Sequence, residues 1–225
     1  MDAYTREFRL ERADAAELFY CLQESAGDDA ERRGGGMDAL FAKGHAWVLL
    51  WQRLDISRRP AAGEMLRIVT APGKGRLGLY PRRFELWSGE ERIGAARSVW
   101  AVIDIRTRSM AALSEQPLSG EMERQSLRMD SIPAPEGGSC FSFVPSAEHI
   151  DRNGHMNNAA YLAALAEYLP GDGGFGLSIL YHREIMPGEE VSVCWQDAAG
   201  ERIFRGVSGG EECFRLSYGA PVELG

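Results

Sequence analysis

Hydrophobic residues at Ala15, Leu18, Phe19, Leu22 and Ala26 recur at helical spacing and predict a helix over 13–26, with Asp14 as its N-cap. The charged, glycine-rich stretch 28–36 predicts a loop. From His45 the pattern changes to strands, at 46–54, 65–70, 83–87 and 93–105, with Ser88-Gly89-Glu90 as a hairpin turn between the last two. Periodicity fades over 107–139, which holds Pro117, Pro133 and Pro135 and ends on Glu136-Gly137-Gly138, so it reads as a linker. The plan then repeats: an extended segment at 140–144, a polar loop, a helix over 157–169 stopped by Pro170-Gly171, and strands at 177–184, 190–196, 201–207 and 212–218. Gly200 and Gly209-Gly210 mark turns among these last strands. A faint echo accompanies the repeat, since Pro60-Ala61-Ala62-Gly63-Glu64 precedes one strand much as Pro187-Gly188-Glu189 precedes another. The reading is α+β, with two duplicated units at 1–115 and 139–225 joined by 116–138.

Composition adds mostly exclusions. With 44% hydrophobic and 26% charged residues the chain is neither disordered nor collagen-like. Its best apolar runs, 46–51 and the Glu-interrupted 159–169, fall short of the ~18 residues a membrane helix needs. The first 14 residues carry charges and no apolar core of a secretory signal, so a soluble, unexported, cytoplasmic chain is expected. A net charge of −8 argues against nucleic acid as a partner. Of the 25 basic residues only Lys43 and Lys74 are lysines. Coding bias explains that; so does a use of pairs such as Arg58-Arg59 and Arg82-Arg83 to grip carboxylates or phosphates bidentately. Cys21, Cys140, Cys194 and Cys213 lack metal or redox spacing and are expected as reduced thiols, Cys194 and Cys213 as small buried apolar residues.

The densest polar string is His149-Ile150-Asp151-Arg152-Asn153-Gly154-His155-Met156-Asn157-Asn158, entering the apolar helix at Ala159-Ala160-Tyr161-Leu162. One Asn or Asp suffices to cap a helix, so a redundant cap explains the string poorly. The N–H groups at a helix start can hold a developing oxyanion, and a neighbouring His can donate to it or act as acid or base.

The pattern Asp151, Asn153, His155, Asn157, Asn158 and Tyr161 resembles the signature of the acyl-acyl carrier protein thioesterases of plant plastids and bacteria. The resemblance implies a tandem (double) hotdog fold, each unit an antiparallel β-sheet wrapped around a central α-helix, with the first binding the acyl chain and the second catalytic. It implies that Asp151, Asn153 and His155 form the catalytic loop, and that Glu184, in Tyr181-His182-Arg183-Glu184, is the base or the nucleophile. Many plant members carry a cysteine after that glutamate; here the position is Ile185, so a cysteine-histidine mechanism there is closed to this chain.

What the resemblance implies is hydrolysis of a fatty acyl thioester on acyl carrier protein, with water as co-substrate and no metal or organic cofactor. Glu184 would take a proton from water, or attack to form an anhydride. Asn153 and His155, with amides of the helix start, would hold the thioester oxygen, and Asp151 would fix the loop. Asn157 and Asn158 cap the helix and, with Trp47 and Trp51, are candidates to line the substrate. His182, two positions from Glu184, shares its face in a regular strand and is a candidate supporting residue, while His149 shapes the loop. Carrier-protein docking is expected on Arg58, Arg59, Arg82 or Arg83. A homodimer stands among the options, since the sequence gives no oligomeric state. Three other readings stay open: an acyl-CoA thioesterase, a 3-hydroxyacyl thioester dehydratase that would yield an enoyl product instead of free thiol, and a non-catalytic acyl-binding protein.

Overall fold

The computed structural model describes residues 2–222 apart from 112, 114, 170 and 172. Ten strands form one antiparallel sheet: β1 (Tyr4–Arg9), β2 (His45–Ile56), β3 (Met65–Pro72), β4 (Leu79–Ser88), β5 (Glu91–Asp104), β6 (Ser139–Phe143), β7 (Phe175–Tyr181), β8 (Val191–Ala198), β9 (Glu201–Ser208) and β10 (Glu211–Gly219). Their order across the sheet is β1-β3-β4-β5-β2-β7-β10-β9-β8-β6, so the β2–β7 pairing joins the strands of the first half to those of the second. The fold is α+β, with helices α1 (Ala15–Arg32), α2 (Met37–Phe41) and α3 (Ala160–Ala164).

Helix α1 starts where expected. Asp14 accepts the Glu17 N–H at 2.8 Å, and the Glu17 carboxylate turns back to take the N–H groups of Glu11, Arg12 and Ala13, fixing the chain that leads into the helix. Leu18, Phe19 and Leu22 face a core shared with Leu54, Ile68, Phe84 and Leu177. The helix does not end near Ala26, and the loop expected over 28–36 begins later. Asp29 is fully buried and holds both Arg33 and Arg82, so tertiary ion pairs extend the helix to Arg32. Strand β1 has no counterpart in the sequence reading: exposed Thr5, Glu7 and Arg9 alternate with half-buried Tyr4, Arg6 and Phe8, and the Arg6 guanidinium reaches Asp28 on α1.

The hairpin turns fall at the expected glycines. Gly209 and Gly210 both take positive φ, as do Ala199 and Gly200, the conformation that matches the twist of two-residue hairpins. The Pro/Gly/Glu echo is structural as well. Glu64 accepts the Ala61 N–H and pairs with Arg58, and Glu189 accepts the Met186 N–H and pairs with Arg183, so each glutamate staples the same kind of turn to an arginine six residues upstream.

Three further expectations are corrected. The helix over 157–169 is only α3 followed by a 3-10 turn at Ala166–Tyr168, because Tyr168 is drawn onto Phe141 in a 4.2 Å ring stack and its carbonyl accepts from Arg202. Pro170, expected to stop that helix, lies outside the described residues. Cys140 and Cys194 are not reduced thiols but a disulfide, since the β6–β8 register sets them directly opposite; Cys21 and Cys213 are the free, buried pair. The expected strand 177–184 ends at Tyr181, where the N–H groups of both His182 and Arg183 turn to the Cys213 carbonyl.

Among the described residues of 105–138 there is no helix or strand, yet the stretch is tied down. Asp130 pairs with Arg53, the Ile132 carbonyl accepts from Arg215, and Leu118 and Ile132 are buried. No helix among the described residues is long and apolar enough to cross a membrane.

Candidate active site

The polar string folds into a closed loop. Ile150 and Met156 form an isolated antiparallel bridge, the Asp151 N–H donates to the His155 carbonyl at 3.0 Å, and Gly154, at φ 83°, takes the left-handed turn that a side chain would resist. The Asp151 carboxylate organises the interior, accepting the Asn153 backbone N–H at 2.8 Å and its side-chain amide at 3.4 Å. One backbone bond sets the site: the Met156 N–H donates to the Ile185 carbonyl at 2.8 Å, fastening the loop beside the segment that follows β7. Met156 and Ile185 are both buried, so the residues next to them in sequence, His155 and Glu184, meet over a rigid floor.

His155 Nε2 lies 3.5 Å from Glu184 Oε1, and its Nδ1 stands 3.4 Å from the Met156 carbonyl and 3.8 Å from an Asp151 carboxylate oxygen. The second Glu184 oxygen accepts from Arg108, in the turn after β5. All three second-half groups are mostly shielded, with side-chain exposures of 20% for His155, 16% for Asp151 and 23% for Glu184. Burial pushes the Tyr161 and Tyr181 hydroxyls well above their ordinary range, so both stay neutral; Tyr181 donates to the Asn158 carbonyl at 3.0 Å. Among the described residues no group of three or more His, Cys, Asp or Glu is placed to hold a metal ion.

These groups border a cavity of about 840 Å³ that runs from the loop to the space between α1 and strands β2, β4 and β5. Trp47, Leu49, Tyr80 and Trp100 supply apolar wall, Trp47 meeting Tyr80 edge-on at 5.1 Å, while Asn157 and Asn158 line it near the loop. The apolar wall suits an extended apolar chain, and the charged side, with Glu24, Asp28 and Arg152, suits a polar group attached to it.

Not every candidate residue is there. Trp51, expected beside Trp47, is not among the lining residues: a bulge between Leu49 and Trp51 turns it to the opposite face, where it is buried and its indole donates to Ser178. His182 borders the cavity but does not support Glu184; with the strand ended at Tyr181 it reaches Glu212 at 3.2 Å. His149 keeps the loop role, accepting the Ser146 N–H. The helix start supplies little to an oxyanion, since α3 is five residues long and the Ala159 and Ala160 amides are already bonded to Asn157. Arg82 cannot dock a partner, being buried against Asp29 and Thr70. Arg58 is engaged by Glu64 and Glu91, Arg59 by Tyr218 and the Phe175 ring, and Arg83 faces Glu123. Arg108, Tyr80 and Trp100 were missed. Arg108 lies in a stretch read as linker, and no local pattern marks an arginine whose partner is a distant glutamate.

Comparison with known proteins places the chain in a family. The family model described as "Acyl-ACP thioesterase N-terminal domain" matches residues 6–119. The chain is 25% identical over 189 residues to the chloroplastic oleoyl-acyl carrier protein thioesterase of Coriandrum sativum, covering 73% of this chain and 49% of the relative; it thus spans about half the length of that protein. Among solved structures, an acyl-ACP thioesterase from Bacteroides thetaiotaomicron superposes with a TM-score of 0.84 at 21% identity, over 96% of this chain and 97% of that one. The 12:0-ACP thioesterase from Umbellularia californica gives 0.81 at 15% identity, over 98% of each chain. The hotdog fold is shared with both.

Proposed function

From the premise that this chain belongs to the acyl-ACP thioesterase family, we propose that it hydrolyses the thioester of a fatty acyl chain on acyl carrier protein, releasing free fatty acid and the carrier thiol. The observation that carries this reading is the approach of His155 Nε2 to Glu184 Oε1, 3.5 Å apart, at the edge of a cavity with an apolar wall. In our reading residues 1–115 form the acyl-binding unit, 116–138 the connection and 139–225 the catalytic unit, with the cavity drawing walls from the first and chemistry from the last.

A thioester carbonyl is electrophilic because sulfur donates poorly into it, so an activated water suffices once the oxyanion is held. His155 Nδ1 faces two acceptors, the Met156 carbonyl and Asp151, which favours the proton on that nitrogen. Nε2 is then an acceptor beside the Glu184 carboxylate, and a water seated on the cavity side of the pair donates to Glu184. Glu184 takes one water proton as the oxygen attacks the carbonyl carbon. The Asn153 side-chain amide, steadied by Asp151, donates to the resulting oxyanion. As the C–S bond breaks, the proton on Glu184 passes to the departing thiolate, and the carboxylate is restored. The acyl chain lies along Trp47, Leu49, Tyr80 and Trp100.

The test is thiol release from a panel of acyl-carrier-protein and acyl-CoA thioesters by wild type and Glu184→Ala, with a no-substrate control for the protein's own thiols. Turnover that collapses in the variant is expected. Absence of thiol with appearance of an enoyl chromophore would move the protein to the dehydratases, and tight binding without turnover to the acyl-binding proteins.

A further inference from the structure

Both lysines of the chain lie at the end of the sheet where Glu184 emerges. β7 ends there at Tyr181; antiparallel β2 starts there at His45, β5 finishes there at Asp104, and β4 starts there at Leu79. Their connections touch. The Ile105 N–H donates to the Gly44 carbonyl, Met110 bridges to Ile103, and the Met110 methyl lies over Gly78. Lys43, Lys74, Arg76 and Arg106 project from these turns and are exposed, Arg106 beside Asp104. Elsewhere arginines such as Arg53, Arg202 and Arg215 are bound to carboxylates.

Between the charges stand large exposed apolar side chains: Leu77, 85% exposed, with Phe41 and Met110. The acids nearby offset part of this. Asp104 accepts the N–H groups of Arg106 and Thr107 and is drawn to the Arg106 charge, Glu184 is held by Arg108, and Glu123, whose carbonyl accepts the Lys74 N–H, leans 3.9 Å from Arg83, while Asp38 and Glu115 are exposed carboxylates beside the rim. A chain of net charge −8 repels an acidic partner over most of its surface, so four exposed cations gathered at one rim, next to the site, favour its approach there.

We propose that this rim is the docking surface for the acidic carrier protein: Lys43, Lys74, Arg76 and Arg106 meet its carboxylates, Phe41, Leu77 and Met110 give the apolar contact, and the thioester arm passes Arg108 to reach Glu184. The assignment rests on the thioesterase reading and replaces Arg58, Arg59, Arg82 and Arg83 as the docking residues.

The experiment compares wild type, the triple variant Lys43→Glu/Arg76→Glu/Arg106→Glu, and a control Arg58→Glu/Arg83→Glu, on acyl carrier protein and on the neutral S-acyl-N-acetylcysteamine thioester. Direct binding of the carrier protein is followed by fluorescence anisotropy. The triple variant is expected to raise KM for the carrier-bound substrate by about tenfold or more and to weaken carrier binding in step, leaving the neutral thioester unaffected. Added salt should raise the wild-type KM for the carrier-bound substrate alone. Unchanged carrier binding in the triple variant, an equal loss on both substrates, or a larger effect in the control overturns the docking surface. Wild type that hydrolyses neither substrate overturns the thioesterase reading instead, while the binding data still decide the docking.

Discussion

Arg108 and Glu184, 76 positions apart, form an ion pair across the two halves of the chain. The turn that presents Arg108 is tightly made: the Arg108 N–H donates to the Asp104 carbonyl at 2.9 Å, Asp104 caps Arg106 and Thr107, and Arg108 itself takes the left-handed φ of 56°. A side chain on so fixed a turn holds one Glu184 oxygen and leaves the other facing His155. Arg108→Ala is expected to lower kcat on a neutral thioester roughly ten- to a hundredfold with little change in KM, and Arg108→Lys to recover part of it. A KM effect with intact kcat would remove Arg108 from the positioning of Glu184.

His155→Ala and Glu184→Gln should each lower kcat by about 10²–10³ while the chain stays folded. Circular dichroism and a thermal melt separate lost chemistry from lost structure. Wild-type kcat in either variant would remove that residue from the mechanism.

Trp47 and Trp51, four positions apart in one strand, should answer differently to truncation. Trp47→Ala opens the cavity wall and is expected to raise KM for acyl substrates with a modest stability loss. Trp51→Ala empties a fully buried site on the other face, and its cost should be about 3–5 kcal/mol in urea unfolding. Equal stability losses would mean that the bulge does not separate the two faces.

Asp29 neutralises Arg33 and Arg82, both nearly inaccessible to solvent. Its removal leaves buried Arg82 without a counter-charge and Arg33 with Asp2 alone. Asp29→Ala is therefore expected to cost about 3–5 kcal/mol, far more than Asp14→Ala at the helix cap, which should cost about 1 kcal/mol. Comparable urea midpoints for the two variants would contradict the pairing.

Glu64 is held at about 2, well below the usual carboxylate range, by the Arg58 guanidinium, the Ser88 hydroxyl and the Ala61 N–H. Because its folded value lies below its unfolded one, the stability it contributes is fully present above about 4.5 and is lost as pH falls toward 2. Glu64→Gln should flatten that part of the stability-pH curve. A variant as acid-sensitive as wild type over that window would assign the sensitivity to other carboxylates.

Local chemistry determined much of this protein without help from the fold. Asp14 and the spacing of Leu18, Phe19 and Leu22 start α1 because capping and helix periodicity act within a few residues. Gly209-Gly210 turns a hairpin because positive φ is a property of glycine. The Asp151-to-Asn158 string could be read as a site because its polarity exceeds any capping need. Only the tertiary structure decided the rest. Asp29 extends α1 through partners on other elements, the bulge in β2 sends Trp51 away from the cavity, and the β6–β8 register joins Cys140 to Cys194. The Met156–Ile185 bond brings His155 to Glu184, and a turn in an apparent linker supplies Arg108. Each depends on which distant strands lie side by side, a relation that no stretch of neighbouring residues encodes, because it is set by how the whole sheet buries its apolar face.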